Sequence, residues 1–268
     1  MTRAGARHRP ESYPWGVESE RASVRFYGDL ADLAWDADRA GETQVIAVSP
    51  RSVKDAVESC GIPHTEVGLL LVDGRSVDFD HLVRAGDRVA VYPPFYALDV
   101  DALSQVGAEP LAQPRFVLDV HLGRLAGLLR HIGLDTLYRN DLDDDDLTTL
   151  SAGGPRWLLT RDRGLLMRRI VTHGYLVRSD QPREQVVEVV RRFGLDEQLA
   201  PFTRCARCNG ELRRVDKADV VDRLPPATRR EHDEFVRCTG CGQVYWRGSH
   251  MPRLEALTSE VRSDPGRR

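Results

Sequence analysis

Two sets of residues in this 268-residue chain have types and spacings suited to chemistry. The first is a series of aspartates that close short apolar runs: FVLD at Asp119, TLYRND at Asp141, WLLTRD at Asp162 and YLVRSD at Asp180. Their spacings of 22, 21 and 18 residues each correspond to one strand and one helix. In an open parallel sheet, ligands bind beyond the carboxyl ends of the strands, so all four would lie along one edge. Clustered carboxylates repel one another unless a cation compensates. Hard oxygen donors with open positions suit Mg²⁺ or Mn²⁺, which keep several waters and accept phosphate oxygens. Such an ion activates water and neutralises charge developing on a phosphodiester. The competing structural reading is that each aspartate caps a helix or turn. The run Asp143-Asp144-Asp145-Asp146 suits the first turn of a helix by its dipole, with one or two carboxylates left to face a cleft.

Arg124, Arg130, Arg161, Arg163, Arg168 and Arg169 surround this edge. Guanidinium forks match phosphate bidentately, and Arg124, Arg161 and Arg163 are the substrate-binding candidates, the last two because they flank Asp162. Alternatively, these arginines neutralise the acidic run in surface pairs worth little. His121, two residues past Asp119, is either a proton donor or phosphate contact, or a cap or surface residue.

The second set is cysteine. Five are present, at 60, 205, 208, 238 and 241. An odd count with two tight pairs argues against a disulfide framework and for a metal in a reducing compartment. Cys205, Cys208, Cys238 and Cys241 form two knuckles with turn glycines Gly210 and Gly242. Four thiolates favour tetrahedral zinc with no open position, a structural site; an iron–sulfur or redox role would use the same ligands. Arg204, Arg207, Arg213, Arg214, Trp246 and Arg247 could form a stacking and phosphate surface, although Trp246 equally suits a core. Cys60 reads as a packed small hydrophobe.

Six elements fill the region before these motifs. SVRFYGDL and TQVIAVS read as strands, and SVKDAVESCGI as a helix closed by Gly61. GLLLVDGRSVDF reads as two short strands about an Asp-Gly turn, and AGDRVAVYPPF as a last strand. This pattern over 22–100 predicts a ubiquitin-like β-grasp module, with 1–21 a disordered tail. Residues 101–114, with two prolines and no periodicity, read as a linker. Residues 115–200 alternate strand and helix, which predicts a mostly parallel sheet covered on both faces; Leu122, Leu125, Leu128, Leu129 and Ile132 form its first helical stripe. Residues 201–250 have few core formers and need the cysteines as a staple; 251–268 read as a tail. The net charge of −3 hides an acidic front, with 7 Lys/Arg against 13 Asp/Glu over 22–100, and a basic back, with 11 against 7 over 201–253. No apolar run is long enough to span a membrane and the first residues do not form a secretory signal, so the expected location is cytoplasmic.

The string DVHLGRLAGLLRHIGLDTLYRNDLDDDDL, followed by LLTRDRGL and YLVRSDQPREQ, resembles the Mut-seven C-terminal RNase family. SCGIPHTEVGLLLVDGRSVDF with GDRVAVYPPF is similar to the ubiquitin-like, sulfur-carrier-related module that precedes this nuclease in many bacterial members. The resemblance covers about 22–250 and implies a PIN-like, metal-dependent ribonuclease ending in a zinc ribbon. It implies acidic ligands at Asp119, at Asp144 or a neighbour, and at Asp162. A fourth acidic position of full-length PIN domains has no clear counterpart, and Asp141 and Asp180 stand in for it. Sulfur carriers act through a free Gly-Gly terminus; here VYPPFYALDV runs on into the linker, which argues against carrier chemistry and leaves a protein partner or packing on the nuclease.

The resulting expectation is an α+β, three-module protein hydrolysing RNA with Mg²⁺ or Mn²⁺ at Asp119, Asp144 and Asp162. Its rivals are a non-catalytic RNA- or ribosome-binding adaptor and a small-molecule phosphohydrolase.

Overall fold

The computed structural model describes residues 21–35, 43–47, 51–95, 100, 102–107, 113–154, 156–248 and 251–263. Of the tail expected over 1–21, residues 1–20 lie outside them and Arg21 begins a strand.

Strands β1 (Arg21–Phe26) and β2 (Thr43–Ala47), helix α1 (Val53–Ser59), and strands β3 (Leu69–Val72), β4 (Arg75–Ser76) and β5 (Arg88–Tyr92) form the first module. Its sheet runs β2-β1-β5-β3-β4, with β1 and β5 parallel and the other neighbours antiparallel. Ala22, Val24 and Phe26 alternate into the core, as a half-buried strand requires. Ser52 caps α1 by accepting from Asp55 N at 3.1 Å, and Gly61 leaves the helix at φ +89°, where a Cβ would lie 2.6 Å from the Trp35 indole. Asp73 and Gly74, at φ +48° and +81°, make the tight turn between β3 and β4. This is the ubiquitin-like fold. The region expected as a linker is partly docked: Ser104 Oγ donates to Gly68 O at 2.7 Å, and Val106 packs on the core.

The second module alternates β6 (Phe116–Leu118), α2 (Gly123–His131), β7 (Thr136–Leu137), α3 (Asp144–Ala152), β8 (Trp157–Thr160), α4 (Arg163–Leu166), β9 (Gly174–Leu176) and α5 (Pro182–Phe193). All its strand pairs are parallel, in the order β7-β6-β8-β9. Successive side chains leave opposite faces. Phe116, Leu118, Trp157, Leu159, Tyr175 and Val177 share a core with residues of α2 and α5. Val117, Leu158 and Leu176 join Leu147 of α3, Leu165 and Leu166 of α4, and most of the core of the first module, in one continuous cluster.

The first module is therefore fused to one face of this sheet. Polar contacts fix the join. The His64 ring nitrogens lie 2.7 Å from Glu58 Oε1 and 2.9 Å from Val171 O. Buried Glu66 accepts from Leu176 N at 2.7 Å and from Arg178 at 3.3 Å. Burial pushes the Glu66 carboxyl above its ordinary value, with Arg192, the Leu176 amide and Arg178 opposing.

The third module contains β10 (Leu212–Val215), α6 (Pro226–Glu231), β11 (Phe235–Cys238) and β12 (Val244–Trp246), the strands antiparallel in that order. Its core is small: Val220, Leu224, Phe235 and Val244, with Val215 and Trp246 packed alongside. The tail expected over 251–268 is instead a helix for most of its length, α7 (Met251–Ser263). Leu257 and Val261 bury into the core under α2 and α5, and Arg183 pairs with Glu260 at 2.8 Å. These apolar residues lie four apart, a helical spacing. No helix among the described residues is long and apolar enough to cross a membrane.

Candidate functional site

Leu118 of β6 pairs in register with Leu159 of β8. One residue further, Asp119 and Thr160 stand side by side, with Asp119 N donating to Leu159 O at 3.0 Å. By the strand alternation both face α3, α4 and the first module. Asp119 is 7% exposed and Thr160 is fully buried. Thr160 Oγ1 donates to Asp119 Oδ2 at 2.7 Å and accepts from Asp162 N at 3.0 Å. Asp162 caps α4, its Oδ1 accepting from Gly164 N at 2.7 Å and Leu165 N at 3.4 Å. Among the described residues, Asp119 Oδ1 accepts only a long bond from His121 N, at 3.4 Å. One hydroxyl thus ties the Asp119 carboxylate to the backbone amide of Asp162 at the adjacent strand end. Neither aspartate forms an ion pair among the described residues.

The other three candidates are neutralised. Asp144 and Asp145, in the first turn of α3, share Arg168 at 3.1 and 2.6 Å, while Asp143 caps the helix through Asp146 N at 2.8 Å. Arg139 binds Asp141 through two nitrogens at 2.9 and 2.6 Å and holds its exposed carboxyl below the ordinary range. Asp180 pairs with Arg161. β7 ends at Leu137 and β9 at Leu176, so Asp141 and Asp180 lie four residues beyond their strands, on loops. Similar sequence spacing concealed that difference in register. Among the described residues, the four cysteines are the one group of three or more His, Cys, Asp or Glu side chains gathered closely enough to hold an ion. The expected set of Asp119, Asp144 and Asp162 is not assembled into such a group.

The arginines divide in the same way. Arg163, expected at the substrate, turns inward and donates to Leu33 O at 2.6 Å and Gly61 O at 3.2 Å. It holds the first module to α4. Arg130 is buried and donates to Thr136 O, Ala206 O and Arg207 O at 2.8, 3.1 and 3.2 Å, joining the second and third modules. Arg161 and Arg168 serve the acidic residues. Arg124 and His121 are exposed, and Arg124 has no partner among the described residues. Thr160 was not singled out from the sequence, although a polar residue at a buried position of WLLT was its signal.

The cysteines converge. Their sulfurs all lie within 4.8 Å of one another, with Cys205 to Cys241 at 3.6 Å and Cys208 to Cys238 at 3.4 Å. A tetrahedral ion with sulfurs at about 2.3 Å needs them about 3.8 Å apart, so the set can hold a metal such as zinc. Gly240 N and Cys241 N donate to Cys238 Sγ at 3.3 and 3.4 Å. A Cβ on Gly210 would lie 2.8 Å from that sulfur, which explains the glycine. Burial raises the Cys205 thiol, but the Tyr245 hydroxyl and nearby amides outweigh it and bring it down to about 7. The first knuckle is locked to the second module: Thr136 N donates to Asn209 Oδ1 at 3.0 Å and Asn209 Nδ2 to Asp135 at 2.8 Å. Cys60 is buried and donates to Ala56 O at 3.4 Å, its thiol pushed up by burial.

Residues 114–258 match the family model described as the Mut7-C RNAse domain, and residues 19–99 match Mut7-C ubiquitin. The chain is also similar to the small archaeal modifier protein 1 of H. volcanii. That structure is 20% identical over 28% of this chain and 98% of its own, with a TM-score of 0.23. A Pyrococcus furiosus structure described as molybdopterin converting factor, subunit 1, is 21% identical over 29% of this chain and 100% of its own, with a TM-score of 0.24. No curated protein matches the chain.

Proposed function

Because the chain belongs to the Mut7-C RNAse family, we propose that it hydrolyses RNA phosphodiester bonds at the Asp119–Thr160–Asp162 edge with Mg²⁺ or Mn²⁺. The observation that carries this reading is the pair itself. Two carboxylates at adjacent strand ends lack an arginine partner among the described residues, whereas Asp141, Asp144 and Asp180 each have one. Asp119 Oδ1 and Asp162 Oδ2 keep lone pairs to spare. Magnesium commonly takes only one or two protein carboxylates, the rest of its shell being water and substrate phosphate, so this donor set fits it. Bound there, the ion would supply an activated water at neutral pH and charge compensation on the phosphodiester.

The chain's own residues have separate tasks in this reading. Asp119 and Asp162 hold the ion, and Thr160 fixes the Asp119 carboxylate. Asp144 joins them by releasing one nitrogen of Arg168, a surface pair worth less than about 1 kcal/mol, while Asp145 keeps the other. Arg124 and His121 lie exposed for the RNA backbone. Cys205, Cys208, Cys238 and Cys241 hold structural zinc.

The test is cleavage of a mixed pool of structured and single-stranded RNAs with Mn²⁺ or Mg²⁺. Asp162→Asn should lose cleavage while keeping its fold, because asparagine caps helices as well as aspartate. Full activity in that variant would overturn the assignment. One observation favours a second reading, an RNA-binding adaptor: the three expected ligands are not gathered. RNA left intact but bound by the wild type, without dependence on added metal, would favour it.

A further inference from the structure

We propose that the third module carries a second RNA contact, a cleft that binds the phosphate backbone of single-stranded RNA. It lies between the second knuckle and strands β10 and β11 and has a volume of about 660 Å³. Arg213, Arg214, Arg223 and Arg237 line it, together with Thr239–Gly242, and no acidic residue among the described ones does. Arg213 and Arg237 face each other in the antiparallel register, where like charges destabilise a sheet. The Arg213 partner is an exposed Glu211 at 3.5 Å. Arg214, Arg223 and Arg237 have no ion-pair partner among the described residues. Four arginines with so little compensation make this surface suited to a polyanion.

An adjoining cleft of about 710 Å³ shares Arg214 and Arg237 and adds Phe202, Tyr245 and Trp246. Aromatic faces beside guanidiniums are what unstacked bases use, whereas a duplex offers only its backbone and groove edges. Asp216, Asp219, Asp233 and Glu234 also line this second cleft, which assigns phosphates to the first and bases to the second.

The cleft is remote from the proposed cleavage edge. The third module docks through Arg130, Thr136 and Asp135, where β7 begins, whereas Asp119 and Asp162 lie where β6 and β8 end. Contacts here therefore govern affinity and leave the chemical step alone. The choice of RNA among polyanions rests on the ribonuclease reading.

The experiment uses the full chain carrying Arg214→Gln and Arg223→Gln. Binding of a fluorescent 20-nucleotide single-stranded RNA is measured without added Mg²⁺ or Mn²⁺ across salt concentrations. Losing two phosphate contacts should weaken affinity about tenfold and reduce the slope of log K against log salt by about 1.4. Zinc content and the single-turnover cleavage rate at saturating RNA should stay at wild-type values. Arg214→Lys with Arg223→Lys should keep most of the slope, and it decides the matter if the glutamine pair loses zinc. Unchanged affinity and slope would overturn the proposal, and equal weakening toward duplex RNA would overturn its single-strand assignment. Weakened binding by the glutamine variant, together with a wild type that cleaves nothing, would leave the cleft standing and remove the ribonuclease reading. Cleavage with unaltered binding would do the reverse.

Discussion

Thr160→Val keeps the branched shape and volume of a fully buried side chain and deletes a single hydroxyl. That hydroxyl makes the 2.7 Å bond to Asp119 and receives the 3.0 Å bond from Asp162 N. A hydrogen bond to an ionised carboxylate contributes about 1.5–3 kcal/mol, and an amide left unpaired costs about 1–3 kcal/mol. Asp162 is exposed, so water can reach part of the vacated geometry, and the loss should be about 2–3 kcal/mol. Urea denaturation would show this as a midpoint lowered by roughly 1 M. Cleavage should fall further than stability suggests, because Asp119 loses the contact that sets its orientation, and a displacement of about 1 Å can cost about a hundredfold in rate. Thr160→Ser restores the hydroxyl and should recover most of the cleavage while remaining slightly less stable. The reasoning fails if Thr160→Val unfolds within about 0.5 kcal/mol of wild type and cleaves normally. It fails equally if the serine variant cleaves as poorly as the valine.

Two further expectations concern the joins between modules. Arg163→Ala removes the bonds to Leu33 O and Gly61 O and should destabilise by about 2–3 kcal/mol. Its RNA affinity and salt slope should not change; a reduced slope would show that Arg163 meets phosphate after all. At Asp135, burial raises the carboxyl, but Arg156, Asn209 and Arg204 outweigh it and hold it below its ordinary value. A depressed folded pKa gives stability that is complete above the unfolded value, about 3.9, and is lost as pH falls through the folded one. The difference in Tm between wild type and Asp135→Asn should accordingly be constant near neutrality and shrink in strong acid. A difference as large at pH 3 as at pH 7 would contradict the ion-pair account.

Elements with a local signature were legible in the sequence. The alternation of SVRFYGDL, the Asp-Gly turn, Gly61 after α1 and the repeated strand-then-helix pattern all depend on periods and turn chemistry that a few residues carry. The helix α7 was missed because MPRLEALTSEVRS has few apolar residues, and their burial depends on a groove under α2 and α5 that other parts of the chain build. The site was legible only in part for a related reason. A residue's distance from the end of its strand depends on where hydrogen bonding stops, so Asp119 and Asp162 looked the same as Asp141 and Asp180. Ion-pair partners come from distant segments: Arg168 lies 23 and 24 residues from Asp145 and Asp144, and Arg163 reaches carbonyls more than 100 residues away. No local pattern announces those choices.

The same long-range packing explains why a ubiquitin-like module sits beside this sheet. Val117, Leu158 and Leu176 form an apolar stripe that must be covered. On that face α3 has nine residues and α4 only four, and four residues span about 6 Å of helix. The cover is completed by the core of the first module, and the polar edges of the join are closed by His64, Glu66 and Arg163. Removing the first module would expose Leu158 and Leu166 and leave Arg178 and the Leu176 amide without Glu66. It would also strip one side from the layer that holds Thr160. The module is therefore part of the folded body that positions Asp119.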